Sequence, residues 1–567
     1  MRRLLLVALA ALLVAPAPAR AADPIMPLAD VQPGLRCTGL SVVRGLDIAS
    51  FDAEVLDVLD RRRPSSARII VRVSGGAVDA TGVGPGFSGS PIICTGTDGV
   101  ARNIGAISET IGEFGGRTVL ATPIEAILAQ PVLPPAATRS SIAPGRTSII
   151  GARRLAGPLT IAGLRSSLAR GFIRAARKAG RVLIASPAGT RAAFPPQPLV
   201  PGAAVSVGLT SGDISIGEAG TVAYADGLNV WLYGHPLDGA GRRSLFLQDA
   251  YIHTVVNNPV AAPEIATYKL ATPGNDVGTV SSDGPSAVVG MLGALPPSFP
   301  LRVTVKDLDS GKVRSSLTNI ADEGDVGLPT GGSPLGLAAA AAAAESAATI
   351  LGGSPARQTG ELCMKVTLRE LRKPMRVCWN YAVDGITQNA LAGAVASDVA
   401  TAVATLETYK FGTLHPTTIE LGMRVRRGLR QAYILGARGP ARVRRGQTIR
   451  LRLALRQTGS GKRTTRTVRL RVPLSAPTGL RTLRLEGTPA DSGGDPNEEG
   501  ELSLVFEDEE GPTDDTGPQS VDEVRDAFLN LKRYDGVSAR LGDIEAPLFR
   551  DPRLRISGEA RVELRIR

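Results

Sequence analysis

The fold is decided by the stretch Thr81-Gly82-Val83-Gly84-Pro85-Gly86-Phe87-Ser88-Gly89-Ser90-Pro91-Ile92-Ile93. A serine at the tip of a glycine-rich turn, with glycine two before it and one after, can be presented while backbone N–H groups point at the same place. Such N–H groups stabilise the oxyanion of a tetrahedral intermediate, and here they would come from Gly86 and Ser88. The motif is not the Gly-x-Ser-x-Gly elbow of α/β-hydrolases, because Ser90 stands where the second glycine would be. Outward from the turn, residues 36–130 carry short β-type runs such as Ala67-Arg68-Ile69-Ile70-Val71-Arg72-Val73, separated by Gly, Pro and Asp. That pattern reads as small β-structure closed by turns.

A hydroxyl alone is a poor nucleophile and needs a base within hydrogen-bond reach, which a third group orients. The chain has three histidines. His253 lies in the apolar context Tyr251-Ile252-His253-Thr254-Val255-Val256 and reads as a core or helix residue, while His415 precedes Pro416 in a loop of a different candidate domain. His235, in Tyr233-Gly234-His235-Pro236-Leu237, follows the strand-and-turn sequence Gly220 to Gly227 and is the candidate base.

Gly-x-Ser-Gly-x-Pro resembles the nucleophile turn of chymotrypsin-like proteases, and two blocks of the chain resemble the stage IV sporulation (SpoIVB-type) serine peptidase family. The first holds Phe51-Asp52-Ala53-Glu54-Val55, Thr81-Gly82, Gly86 to Ile92, Ile104-Gly105-Ala106-Ile107 and Ile124-Glu125; the second holds Gly220-Thr221, Gly234-His235 and Gly278-Thr279-Val280 through Gly290. The resemblance spans about residues 30–310. It implies that Ser88 is the nucleophile and His235 the general base, with a protein or peptide as substrate. In that family the His half precedes the Ser half, whereas here Ser88 comes 147 positions before His235. If each half is a barrel and the site lies between them, a swapped order preserves the geometry. The family's acid aligns with Ser74 or Gly75, which carry no charge, so Asp79 is the substitute acid, with Asp226 and Asp238 as rivals near His235. The PDZ domain that precedes the family's peptidase domain is replaced by an appended β-rich region.

At 567 residues with 43% hydrophobic content, the chain has material for three or four domains and is not a disordered sequence. The expected class is mainly β: a double β-barrel of chymotrypsin-like type with permuted halves, then a helical segment and a β-sandwich-like region. The Ser half occupies 22–132, a connector with one amphipathic helix near Leu164 to Lys178 occupies 133–205, and the His half occupies 206–315. A helix and hairpin segment follows at 316–412, with seven consecutive alanines at Ala338 to Ala344 in one helix and a second helix at Gln388 to Leu406. The sandwich-like region is placed at 413–490, an acidic flexible loop at 491–519, and a helix with strands at 520–567.

The formal charge of +12 needs correction before it says anything about partners. Arg2-Arg3, the apolar run Leu4 to Ala15 and the small-x-small site Ala19-Arg20-Ala21 describe a signal peptide over 1–21. Its removal leaves +9 and an extracytoplasmic, secreted or cell-envelope protein. No later stretch reads as long and apolar enough to be a transmembrane span. Strands such as Thr448-Ile449-Arg450-Leu451-Arg452-Leu453 alternate Arg with aliphatics, so much of the positive charge belongs to a solvated sheet face, with only weak contact to an anionic surface expected. With aromatics at 4%, stacking platforms for nucleic acid are disfavoured. The cysteines pair best as Cys37 with Cys94 and Cys363 with Cys378, each inside one candidate domain and the second bracketing a hairpin. No close CxxC spacing calls for zinc or a redox site, no calcium-loop spacing appears between Asp491 and Asp515, and neither metal nor cofactor is expected. Two functions follow from these residues: a secreted serine endopeptidase, acting on peptides or on itself, and a catalytically inactive binding or scaffold protein that keeps the peptidase fold.

Overall fold

The structure, a computed structural model, describes residues 23–112, 114–134, 152–155, 157–178, 182–186, 194–257, 267–323, 334–352, 355–384, 389–487, 517–531, 536–551 and 554–567. The expected signal peptide and nearly all of the acidic segment lie outside the described residues. About half of the chain is strand, 53% against 15% helix, so the architecture is mainly β.

The first barrel closes on itself. Its ring runs Arg36–Val42, Ile48–Leu59, Arg68–Ser74, Thr118–Pro123, Ala101–Ile111 and Pro91–Thr95, and the last strand pairs back onto the first, all antiparallel. Alternation explains why these residues form it: Ile69, Val71 and Val73 point into the core while Arg68, Ile70 and Arg72 point outward. Closure removes the free sheet edges that would otherwise pair with other chains. A second ring is built the same way from Ala204–Gly212, Gly241–Asn257, Thr267–Asp283, Val288–Leu292, Asn229–Leu232 and Ser215–Asp226. In the connecting segment, the helix Ser166–Lys178 buries Leu168, Phe172, Ala175 and Ala176 against the core of the second barrel and leaves Arg170, Arg174 and Arg177 to solvent.

The second barrel's sheet continues beyond the ring. Val313–Ala321 pairs with Ala204–Gly212 and leads through Ser298–Asp307, Pro416–Arg427 and Arg357–Leu368 to Met375–Asp384. Helices Pro334–Ile350 and Ala390–Glu407 pack on this extension in one continuous core with the barrel. All seven residues from Ala338 to Ala344 are buried, as expected of a helix whose small side chains let neighbours approach. Ala390–Glu407 is long and apolar enough, by length and composition, to cross a membrane, which corrects the reading that no such stretch follows the leader; half of it is buried here. Its apolar side chains Leu391, Val395, Val399 and Val403 belong to the same core.

The boundary at 413 is displaced. Pro416–Arg427 belongs to the extended sheet because its inward residues Ile419, Leu421, Met423 and Val425 join that core. The sandwich begins at Gln431 and draws its remaining strands from the C-terminal tail. One sheet holds Arg463–Arg471, Thr448–Gln457, Gln431–Arg438 and Arg555–Ser557; the other holds Arg442–Val443, Glu559–Ile566, Gly479–Gly487, Gly536–Leu541 and Ile544–Arg550. Cys37–Cys94 and Cys363–Cys378 are disulfides between residues directly opposite on antiparallel strands. Closing loops of 57 and 15 residues, they stabilise by about 4 and about 3 kcal/mol through the entropy removed from the unfolded chain.

Candidate active site

The glycine-rich turn sits in the wall of the first barrel and meets the second barrel. Gly86 and Gly89 have φ of +94° and +90°, backbone that L-residues with side chains rarely adopt. Gly89 also has no room: a Cβ there would lie 1.9 Å from the Thr221 carbonyl oxygen and 2.7 Å from the Tyr233 nitrogen, both in the second barrel. Cross-barrel hydrogen bonds fix the contact. Thr221 N–H donates to Ser88 O at 2.9 Å, and Thr221 Oγ1 donates to Gly86 O at 3.0 Å. The Phe87, Gly89 and Ser90 amides donate within the first barrel, whereas those of Gly86 and Ser88 have no acceptor among the described residues.

His235 reaches the same junction by an unusual backbone. Tyr233 has φ of +67° and Gly234 of +68°. For an aromatic residue this is a strained conformation, costing on the order of 1–2 kcal/mol. Tyr233 is held in it by its hydroxyl, which donates to Glu218 O at 2.7 Å, and its ring lies 5.7 Å from that of His235. The Ile107 carbonyl joins the two turns: it accepts the Gly89 N–H at 2.8 Å, and a Cβ on Gly234 would meet it at 3.5 Å.

Ser88 is 0% exposed and His235 is 2% exposed. Ser88 Oγ and His235 Nε2 are both buried without a hydrogen-bond partner, so the two side chains are not bonded to each other in this conformation. His235 Nδ1 lies 2.7 Å from Pro236 O. A carbonyl only accepts, so Nδ1 carries the proton and Nε2 presents the lone pair. Burial lowers the pKa of His235 to about 4, opposed by the Pro236 carbonyl, aided by the Arg154 charge and opposed further by the Glu109 charge and the nearby Leu155 carbonyl, so the ring is neutral at ordinary pH.

Among the described residues no carboxylate bonds to His235. Asp79 is half exposed and pairs with Arg117 at 3.3 Å. Asp226 is exposed in a hairpin turn, and Asp238 pairs with Arg243 at 3.2 Å while accepting the Ala240 N–H at 3.0 Å. The tautomer-setting role expected of Asp79 falls to the Pro236 carbonyl. His253 lies on a strand, its Nε2 2.8 Å from Thr272 Oγ1, and His415 Nδ1 lies 2.7 Å from Glu370.

Two residues at the junction escaped the sequence reading. Asp283 is buried and collects the backbone amides that follow His235: Leu237 at 2.8 Å, Asp238 at 3.0 Å, Gly239 at 2.8 Å and Ala240 at 3.3 Å. It therefore shapes the loop that carries the histidine, and burial raises its pKa to about 7. Lys269 is 4% exposed, with Nζ donating to Ser41 Oγ at 2.6 Å and Thr221 Oγ1 at 3.2 Å and lying 4.5 Å from the centre of the Phe87 ring. Ser41 Oγ in turn lies 2.8 Å from Ser90 Oγ. With no carboxylate bonded to it among the described residues, burial lowers the Lys269 pKa to about 7. No group of metal-binding side chains occurs among the described residues.

Compared with protein-family models, curated proteins and solved structures, the chain matches none.

Proposed function

We propose that the protein is a serine endopeptidase of SpoIVB type, secreted and latent, with Ser88 as nucleophile and His235 as general base. The observation that supports it is that the turns carrying Ser88 and His235 meet at the barrel junction, Gly89 lying against the Tyr233 nitrogen, and that Ser88 Oγ and His235 Nε2 are each buried without a hydrogen-bond partner. Buried polar groups are nearly always paired, and two orphaned side chains on adjoining turns fit a site that waits for a reacting group. On this reading Ser88 Oγ attacks a peptide carbonyl and its proton passes to His235 Nε2. The Gly86 and Ser88 amides hold the oxyanion. The C–N bond then breaks as His235 returns the proton to the leaving amine, and water hydrolyses the acyl-enzyme.

Burial of both side chains means that the barrels must part at this contact before a peptide enters. The same burial favours the second reading, an inactive scaffold that has kept the turn for packing. A fluorophosphonate probe separates the two. Labelling of the disulfide-intact protein that is lost in Ser88→Ala and reduced at least a hundredfold in His235→Ala supports the enzyme; folded protein without Ser88-dependent labelling supports the scaffold.

A further inference from the structure

The two amides assigned to the oxyanion are each one end of a rigid peptide unit, whose N–H and C=O point in opposite directions. Whatever holds the carbonyl therefore aims the N–H. The unit ending in the Gly86 N–H begins at the Pro85 carbonyl, which accepts the Lys269 N–H at 2.9 Å. The unit ending in the Ser88 N–H begins at the Phe87 carbonyl, which accepts the Ser90 N–H at 2.9 Å. Lys269 lies on Thr267–Asp283 of the second barrel and so sets one of the two donors across the junction.

Its side chain reaches the rest of the turn. A Cβ on Gly86 would lie 2.8 Å from Lys269 Cβ, so the stem packs where only a glycine leaves room, and Nζ sits 4.5 Å from the centre of the Phe87 ring. From Nζ two arms diverge. One donates at 3.2 Å to Thr221 Oγ1, whose hydroxyl donates to the Gly86 carbonyl at 3.0 Å. With the carbonyls on both sides of Gly86 held, its φ of +94° is fixed. The other arm reaches Ser41 Oγ at 2.6 Å and through it, at 2.8 Å, the hydroxyl of Ser90, whose amide holds the Phe87 carbonyl. Ser41, Ser90 and Thr221 are fully buried, so bulk water does not compete for these bonds. Both arms survive titration of the amine: an ammonium donates to both hydroxyls, and a free amine donates to Thr221 Oγ1 while accepting the Ser41 O–H.

Given Ser88 as the nucleophile, the reading on which this role rests, we propose that Lys269 is a positioning residue: its amine, through Thr221 on one side and Ser41 with Ser90 on the other, aims the Gly86 and Ser88 amides at the oxyanion while His235 remains the base. The test follows modification of Ser88 by a fluorophosphonate in the full, disulfide-intact chain at pH 8, resolved into a saturating rate and a half-saturating concentration. Lys269→Met keeps the stem and removes the amine. Misaimed donors slow the bond-forming step, so the saturating rate should fall at least about tenfold with the half-saturating concentration within about threefold. Thr221→Val should lower the rate in the same way, and Thr221→Ser, which keeps the hydroxyl, should recover most of the loss. Should Lys269→Met fail to fold, Ser41→Ala carries the test with an expected loss of at least about threefold. The wild-type rate should stay level as the amine loses its proton near pH 7, because the positioning bonds do not depend on that proton. A saturating rate that these variants leave unchanged or raise, or a wild-type rate that climbs through pH 7 as it would if the amine were the base, overturns the positioning role. Wild-type protein unlabelled at Ser88 overturns the assignment of the nucleophile, and this role with it.

Discussion

The barrel junction and the C-terminal sandwich are both β-structure, yet they treat polar atoms in opposite ways. The sandwich buries aliphatics such as Leu451, Leu453, Leu483 and Val562 and turns Arg450, Arg452, Arg469 and Arg471 to water. The junction buries a serine, a histidine and a lysine with few or no partners. Charge is thus abundant where it does little and scarce where it costs most, and the chemistry sits where desolvation has been accepted.

Four experiments break or sharpen this contrast. The largest effect is expected at Gly89. A methyl there meets the Thr221 backbone at 1.9 Å in a left-handed conformation, so Gly89→Ala should cost more than about 4 kcal/mol and separate or unfold the barrels in denaturant titrations.

Lys269 comes next. Its folded pKa of about 7 is below the usual 10.5, so between those values the unfolded chain binds a proton that the folded chain does not, and stability rises as pH climbs through that window. Relative to Lys269→Met, the native protein should gain about 4 kcal/mol between pH 7 and 10.5. A constant difference across that range would show that the amine is not desolvated.

His235 has the same sign at lower pH. Its folded pKa of about 4 lies below the ordinary 6.5, so its contribution is complete above 6.5 and is lost as pH falls toward 4. Against His235→Leu the expected loss is about 3 kcal/mol, read from denaturant midpoints in matched buffers. The smallest effect belongs to the sandwich surface, where exposed Arg450 faces exposed Arg469. Arg450→Thr should move stability by no more than about 0.5 kcal/mol, because it relieves a like-charge pair and uncovers nothing.

What the sequence made legible was local. The glycine spacing around Ser88 marks a turn that the backbone adopts, the cysteines pair as expected, Cys363 with Cys378 across a hairpin and Cys37 with Cys94 within the first barrel, and Arg–aliphatic alternation locates exposed sheet faces. Alternation does not say which sheet a strand joins, so the sequence reading places Pro416–Arg427 in the sandwich, whereas its apolar face completes the helix-covered core. The third member of the site is expected at Asp79, nine residues before Ser88, or at Asp226 or Asp238 near His235, but its place is filled by the Pro236 carbonyl, an atom that every residue carries. Asp283 and Lys269 lie 48 and 34 residues beyond His235 and reach the junction only through strand pairing. No local pattern marks either as more than an ordinary polar residue in a strand.

The central claim is that the two orphaned side chains at the barrel junction form a nucleophile and its base. The most direct measurement is the pH dependence of Ser88 labelling by a fluorophosphonate, followed by mass spectrometry of the modified peptide. The account predicts modification at Ser88, abolished by Ser88→Ala, with a rate that climbs as His235 loses its proton near pH 4 and is level from about pH 6 upward. Protein that is folded and disulfide-intact yet unlabelled at Ser88 throughout that range would contradict it.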